Sequence, residues 1–229
     1  MSEQVYRIEI ALISNVSFIG NENGTVIDYN YGRRGSFVVS YSRNKWDKIT
    51  FKNIIFEHYS TNGVDYPGIQ IISVSSNANN IQTYLENCTF RDNQYRLLSF
   101  QLTSYEIISD KPQVVLNNCV FENNSQRLIS ISHKYDYALD EAKKYFKLKF
   151  INCKYINNKG LFCLKLPASV EFDNCYFSTI EKDSYDSNSV LFFTSLLSSG
   201  HLSIKNSIFE DIDVKSKLPI INGEGLTLE

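Results

Sequence analysis

The sequence predicts an all-β chain wound as a right-handed parallel β-helix of about seven coils, on three observations. First, one nine-residue unit recurs seven times, at residues 10–18, 48–56, 82–90, 113–121, 147–155, 169–177 and 201–209. Second, apolar residues inside each unit alternate, which is the period of a strand and not of a helix. Third, each unit is followed by a polar turn and a further short apolar stretch: 24–29, 68–74, 96–102, 127–133, 160–166, 189–196 and 218–223.

The units align on a shared asparagine: Asn15, Asn53, Asn87, Asn118, Asn152, Asn174 and Asn206. An aromatic follows three residues later: Phe18, Phe56, Phe90, Phe121, Tyr155, Phe177 and Phe209. The alternation changes phase at the asparagine, so it is expected at a bend between two strands. Asparagine tolerates left-handed backbone and bonds to nearby backbone groups. Successive asparagines are 38, 34, 31, 34, 22 and 32 residues apart. The shortest spacing is close to one bare coil of three strands; the others are that coil plus insertions. Coils about 4.8 Å apart would bring equivalent residues into ladders. Three ladders follow: asparagines, aromatics, and a stack of Cys88, Cys119, Cys153 and Cys175. The asparagine ladder is expected to be buried, each amide donating to the next.

One unbroken repeat across 229 residues predicts a single module, 1–229. Hydrophobic content of 43% and aromatic content of 14% are enough for a continuous core. A net charge of −2 provides no global field for nucleic acid or an anionic membrane. The longest apolar run, over 190–197, is far too short to span a bilayer as a helix. Solenoids need polar caps, and neither end carries one. The chain therefore reads as a module cut from a larger multi-repeat protein, with Leu228 and Glu229 as a cloning remnant. Cysteine spacings of 31, 34 and 22 match no zinc site, so the stack reads as buried thiols, with a bridge between adjacent coils left open. Cys163 is out of register, either core-facing or exposed. The sequons at Asn15 and Asn87 fall on the ladder and are expected to be buried; those at Asn23 and Asn123 fall in turns. The acidic turn 183–188 lacks the glycine and distal glutamate of a calcium loop, and no metal or cofactor is expected.

Recognition is expected on the insertions, which vary in a solenoid without breaking the stack. The insertion 30–48 holds the only tryptophan and a cluster of basic residues. The insertion 134–147 has helical spacing, predicting a short helix over 136–146. Candidate binding residues are Tyr29, Tyr31, Arg33, Arg34, Tyr41, Trp46, Tyr135 and Tyr137, since Tyr, Trp and Arg dominate binding hot spots. The outward residues expected on the third strands are Gln70, Ser99, Gln101, Ser130, Ser132 and Lys165. Acidic residues are scattered singly, and His58, His133 and His201 are far apart in sequence, so no catalytic residue is assigned.

The coil of strand, Asn bend, strand, polar turn and strand resembles the pectin-lyase-like superfamily over nearly the whole chain. The N-C-x-F-x-N-N units, as in NNCVFENN at 117–124, resemble the repeats of large β-helical surface and scaffold proteins more than those of the lyases. With the Asn-, Lys-, Ile- and Tyr-rich usage, they resemble the scaffoldins of anaerobic gut fungi. That resemblance implies a secreted or cell-surface cohesin unit. Its partners would be dockerin domains on plant-cell-wall-degrading enzymes of a cellulosome. Two other readings stand beside it: a β-helical adhesin with a glycan or cell-surface partner, and a structural spacer. A polysaccharide lyase or hydrolase is the least supported.

Overall fold

The computed structural model describes residues 7–32, 35–41, 46–60, 70–76, 81–102, 111–133, 146–165, 168–182, 192–194, 200–212, 219–222 and 226–228. Among them the strands follow one another in triplets. The first two are β1 (Arg7–Leu12), β2 (Val16–Ile19), β3 (Thr25–Asp28) and β4 (Ser36–Tyr41), β5 (Asp47–Lys52), β6 (Ile54–Glu57). Next come β7 (Ile72–Ser76), β8 (Ile81–Glu86), β9 (Thr89–Arg91) and β10 (Leu98–Leu102), β11 (Val114–Asn117), β12 (Val120–Glu122). Then come β13 (Ile129–His133), β14 (Phe146–Ile151), β15 (Lys154–Ile156) and β16 (Phe162–Lys165), β17 (Ala168–Asp173), β18 (Tyr176–Ser178). The last are β19 (Phe192–Thr194), β20 (Gly200–Lys205), β21 (Ile208–Glu210), with β22 (Ile221–Asn222) and β23 (Leu226–Leu228) beyond them. The first members of the triplets stack as sheet A, the second as sheet B and the third as sheet C. The sheets hold eight, eight and seven strands, paired in parallel between successive coils. This is a parallel β-solenoid, and no helix occurs among the described residues.

Alternation decides what fills the interior. In β8, β14 and β17 every second side chain is buried, as a strand with one face on a core requires. The aromatics of sheet C form one stack through Phe56, Phe90, Phe121, Tyr155, Phe177 and Phe209. Their centroids are 4.8, 5.0, 5.2, 4.7 and 4.4 Å apart and no pair is tilted by more than 15°. All five cysteines are buried thiols. The stacked ones reach backbone carbonyls, Cys119 Sγ lying 3.6 Å from Leu85 O and Cys153 Sγ 3.6 Å from Leu116 O. Asparagine, cysteine and aromatic ladders run together through four coils, those of Cys88, Cys119, Cys153 and Cys175.

Both corners flanking sheet C turn on left-handed residues. At the first, Asn53, Asn87, Asn118, Asn152, Asn174 and Asn206 have φ between 51° and 56°. At the second, His58, Asp92, Asn123, Asn157, Thr179 and Asp211 have φ between 50° and 57°. A left-handed residue bends the chain within one position, and Asn and Asp bear it at least cost among residues with a Cβ.

The buried amide ladder is not the expected one. Asn87, Asn118, Asn152 and Asn174 are exposed, because a corner residue in this conformation points its side chain outward. Their amides still bond along the rod: Asn118 Nδ2 donates to Asn87 Oδ1 at 2.7 Å and Asn174 Nδ2 to Asn152 Oδ1 at 2.7 Å. The ladder inside the core is Asn93, Asn124 and Asn158, each at most 1% exposed. Asn93 Nδ2 donates to Asn124 Oδ1, and Asn124 Nδ2 to Asn158 Oδ1, both at 2.9 Å. The same oxygens accept the backbone N–H groups of Asn93 (3.2 Å) and Asn124 (3.1 Å). One amide proton of each goes to a carbonyl, that of Phe56, Phe90 or Phe121 in turn.

The first coil also departs from expectation. Val16 pairs with Ile49 and Phe18 with Phe51, so β1 and β2 divide the 10–18 unit between sheets A and B. Asn15 is therefore not a ladder member; it is exposed and its Oδ1 accepts the backbone N–H of Lys48 at 2.8 Å. The 24–29 segment lies in sheet C, where Gly24, at φ 92°, takes the asparagine's place opposite Asn53. A Cβ at neighbouring Gly20 would collide with the Asn53 carbonyl oxygen, so only glycine lets this coil close on the next. The 30–48 insertion contains β4, a full strand of sheet A. The helix expected over 136–146 lies outside the described residues except for Phe146, which opens β14; the turn 183–188 also lies outside them.

Two outcomes follow for stability. Asn124→Ala leaves several buried groups without partners and is expected to cost on the order of 3 kcal/mol. Asn118→Ala sets a Cβ without a polar side chain in a left-handed bend and should cost about 1 kcal/mol. Chemical denaturation of both variants checks this, and equal losses would contradict the assignment of the inner ladder. Separately, burial pushes the Tyr41 phenol from its ordinary 10.0 up to about 12. The fold thus favours the neutral phenol, a contribution complete below pH 10.0 and lost as pH rises through about 12. Tyr41→Phe should make the alkaline loss of stability shallower in denaturation curves recorded across that range.

Candidate functional site

Sheet A presents its outward face as a shallow groove of about 350 Å³. Its floor follows from alternation. Leu98, Ile129 and Phe162 point inward, so Ser99, Ser130 and Cys163, one residue on, form a row along the other face, joined by Ser73. A second row holds Ser75, Gln101 and Ser132. One long edge carries Arg96 and Arg127, which stand two residues before the paired Leu98 and Ile129. Gln70 lies in the same row and accepts a hydrogen bond from Ser73 Oγ at 2.8 Å. The Arg96 guanidinium sits 5.8 Å from the Tyr95 ring, which is buried beneath it. The lining among the described residues is hydroxyl, amide and guanidinium with a few apolar side chains, and it holds no carboxylate. Such a surface can bind a polar or anionic ligand by hydrogen bonds spaced at the coil repeat.

A second cluster sits at the corner of the first two coils. Asp28 Oδ1 lies 3.0 Å from His58 Nδ1, and Glu57 Oε2 accepts from Arg91 Nε at 2.6 Å. Asp28, Glu57 and His58 bring ligand-type atoms within 4.8 Å of one another. Their oxygens are already engaged: Asp28 Oδ1 also accepts the backbone N–H of Asn30 at 2.7 Å. The Asn30 amide and the His58 ring hold the Asp28 carboxyl below its ordinary 3.8. Tyr31 packs on His58 with centroids 4.9 Å apart, closing the corner from outside.

The expected binding residues divide three ways. Tyr29 and Tyr41 are buried and belong to the core, which corrects their placement on a binding surface. Tyr29 meets Tyr59 edge-on at 5.0 Å, and the Tyr41 hydroxyl donates to Gln82 O at 2.8 Å. Tyr31 is 46% exposed, and Trp46 is half-buried with Lys111 Nζ 5.7 Å from its ring. Arg33, Arg34, Tyr135 and Tyr137 lie outside the described residues. Asn15 and Asn87, expected to be buried, are exposed. Cys163 is buried in the groove lining, one position along the row from Ser130. Arg96 and Arg127 did not stand out as site residues by sequence reasoning. Their signal is the same cation at the same position of two consecutive repeats, RLLSF and RLISI. No protein-family model matches the chain, and no curated protein matches it.

The corner makes one pH prediction. A carboxyl held below 3.8 contributes stability that is complete above that value and lost as pH falls through the lower folded value. Asp28→Asn should lower the melting temperature at neutral pH and match the parent in strong acid. A difference that persists unchanged in acid would contradict the assignment.

Proposed function

We propose that this chain is a non-catalytic binding module, a rigid solenoid that presents sheet A and the neighbouring corner to a protein partner. The observation that carries this reading is the groove lining. Hydrolysis of a glycosidic bond uses two carboxyl groups flanking the bond, whereas this groove offers hydroxyls, amides and two guanidiniums. Parallel stacking through three sheets supports a rod that holds such a surface at low conformational cost. In its finer form the module is a scaffold unit of the cohesin type, secreted as part of a larger protein and holding dockerin-bearing enzymes of plant-cell-wall degradation. This form is supported by the N-C-x-F-x-N-N repeats and their likeness to fungal scaffoldins. A second reading, a glycan-binding surface protein, is favoured by the two hydroxyl-rich rows of the groove floor.

The test is a pull-down with the whole chain against the secreted proteins of its source organism, followed by calorimetry with the captured domain. The expected result is a set of enzymes sharing one small domain that binds at one-to-one stoichiometry, without product release from pectin or alginate. Capture of glycan alone, or turnover of either polymer, overturns the scaffold reading. Trp46→Ala and Tyr31→Ala should weaken the complex by about tenfold or more with little change in melting temperature. Equal loss of binding and stability would assign both residues to packing.

A further inference from the structure

We propose that Asn15 and Asn23 are acceptors of N-linked glycan, and that the sugar covers the exposed apolar end of the rod at the first coil. This rests on the reading of the chain as part of a secreted protein. An N-glycan requires an asparagine with serine or threonine two residues on, at a surface position. Four such triplets occur: Asn15-Val16-Ser17, Asn23-Gly24-Thr25, Asn87-Cys88-Thr89 and Asn123-Asn124-Ser125. All four asparagines are exposed, yet their hydrogen bonds separate them. Asn87 Nδ2 donates to Asn53 Oδ1 at 3.2 Å, and its Oδ1 accepts from Asn118 Nδ2 at 2.7 Å. Asn123 Nδ2 donates to Asp92 Oδ1 at 3.1 Å, and its Oδ1 accepts from Asn157 Nδ2 at 2.7 Å. A sugar on either nitrogen would have to fit between side chains held one strand spacing apart, about 4.8 Å. Asn15 and Asn23 stand outside these ladders. The Asn15 Oδ1 accepts the backbone N–H of Lys48 at 2.8 Å, which orients the amide and leaves Nδ2 without a partner among the described residues. Asn23 makes no side-chain hydrogen bond among them; it sits in a turn closed by Gly24 N–H donating to Asn21 O at 3.0 Å.

The two sites occupy the two bends of one coil. Asn15 lies between β1 and β2, and Asn23 between β2 and β3, the strands that end sheets A, B and C among the described residues. The same coil exposes large apolar side chains: Ile13 is 65% and Ile19 69% exposed, and Ile8 and Val26 are exposed with them. Ile13 stands just before Asn15, while Ile19 and Val26 flank Asn23 on either side. Strand edges beside exposed apolar residues invite pairing with another chain. Solenoids guard such an end with a polar cap. A bulky, hydrated glycan at each bend supplies one. In the transfer step Nδ2 bonds to the anomeric carbon of a lipid-pyrophosphate-linked oligosaccharide. The bond from that carbon to the pyrophosphate oxygen breaks, and one Nδ2 proton leaves with the released lipid pyrophosphate. Nothing is oxidised or reduced.

The experiment secretes the whole chain from a eukaryotic host and maps the occupied asparagines by mass spectrometry, after enzymatic release of the glycan in heavy-oxygen water. Most copies are expected to carry glycan at Asn15 and Asn23, and few at Asn87 or Asn123. The double variant Asn15→Gln, Asn23→Gln should lose the mass of both glycans and shift from monomer toward larger species in light scattering. Enzymatic release from the folded parent should give the same shift, which keeps the test independent of how the variant folds. Unoccupied Asn15 and Asn23, or equal occupancy at Asn87 and Asn123, overturns the assignment of the sites. An unchanged size after release overturns the capping role. The host imposes secretion, so these results test the sites apart from the secreted reading. Glycan on the host-made chain but none on the protein from its source organism would overturn that reading, and with it the natural role of the cap.

Discussion

In-register parallel stacking is the constraint on which everything else in this molecule depends. Adjacent coils stand one strand spacing apart, about 4.8 Å, so a residue's nearest neighbour along the rod is its own equivalent in the next turn. Whatever type occupies a position must therefore tolerate itself. Flat aromatics do, by stacking face to face through sheet C. Amides do, because each carries both a donor and an acceptor. That is why a fully polar row such as Asn93–Asn124–Asn158 survives in the core, each amide bonded to its neighbour and to a backbone carbonyl. Charges do not tolerate themselves as readily, and at several places neighbouring coils set opposite signs side by side, as Lys52 with Glu86 and Lys149 with Glu171.

The second constraint is the sharpness of the corners. Three strands can close into a coil of about 22 residues only if the chain turns within one or two positions. The left-handed asparagines and aspartates at the two corners of sheet C meet this requirement. They also set the direction of the side chains that follow. At the second corner the residue after the left-handed one points inward, which puts Asn93, Asn124 and Asn158 beside the aromatic stack and in reach of the carbonyls of Phe56, Phe90 and Phe121. Corner geometry and core hydrogen bonding are thus one arrangement.

This explains what could be read from the sequence and what could not. The strand–bend–strand unit was legible because self-tolerance leaves the same residue types at the same places in copy after copy. The first coil was misread because its ladder position is filled by Gly24, which reaches the left-handed region with no side chain to mark it. The apolar–Asn–aromatic run at 10–18 satisfied the pattern by chance and drew the alignment to Asn15. That slip turned β4 into a supposed loop, and Tyr41 into a supposed surface aromatic, although Phe37, Val39 and Tyr41 alternate inward as a strand should. The inner amide ladder was written in the second asparagine of the N-N pairs at 123–124 and 157–158. Which of two adjacent asparagines faces the core depends on the backbone turn between them, and sequence alone does not give that.

The candidate site was hard to find for a different reason. Attention to a repeat protein goes to what varies, the insertions, and the groove lies on the part that repeats. On such a surface a functional residue need not look unusual in its own copy. It becomes visible only beside its equivalent in the next coil, as Arg96 and Arg127 do in RLLSF and RLISI. The rigidity that makes neighbours inescapable then works in favour of recognition: the strands that line the groove stand at a fixed spacing before any ligand arrives, so little ordering of the backbone is left to be done on binding.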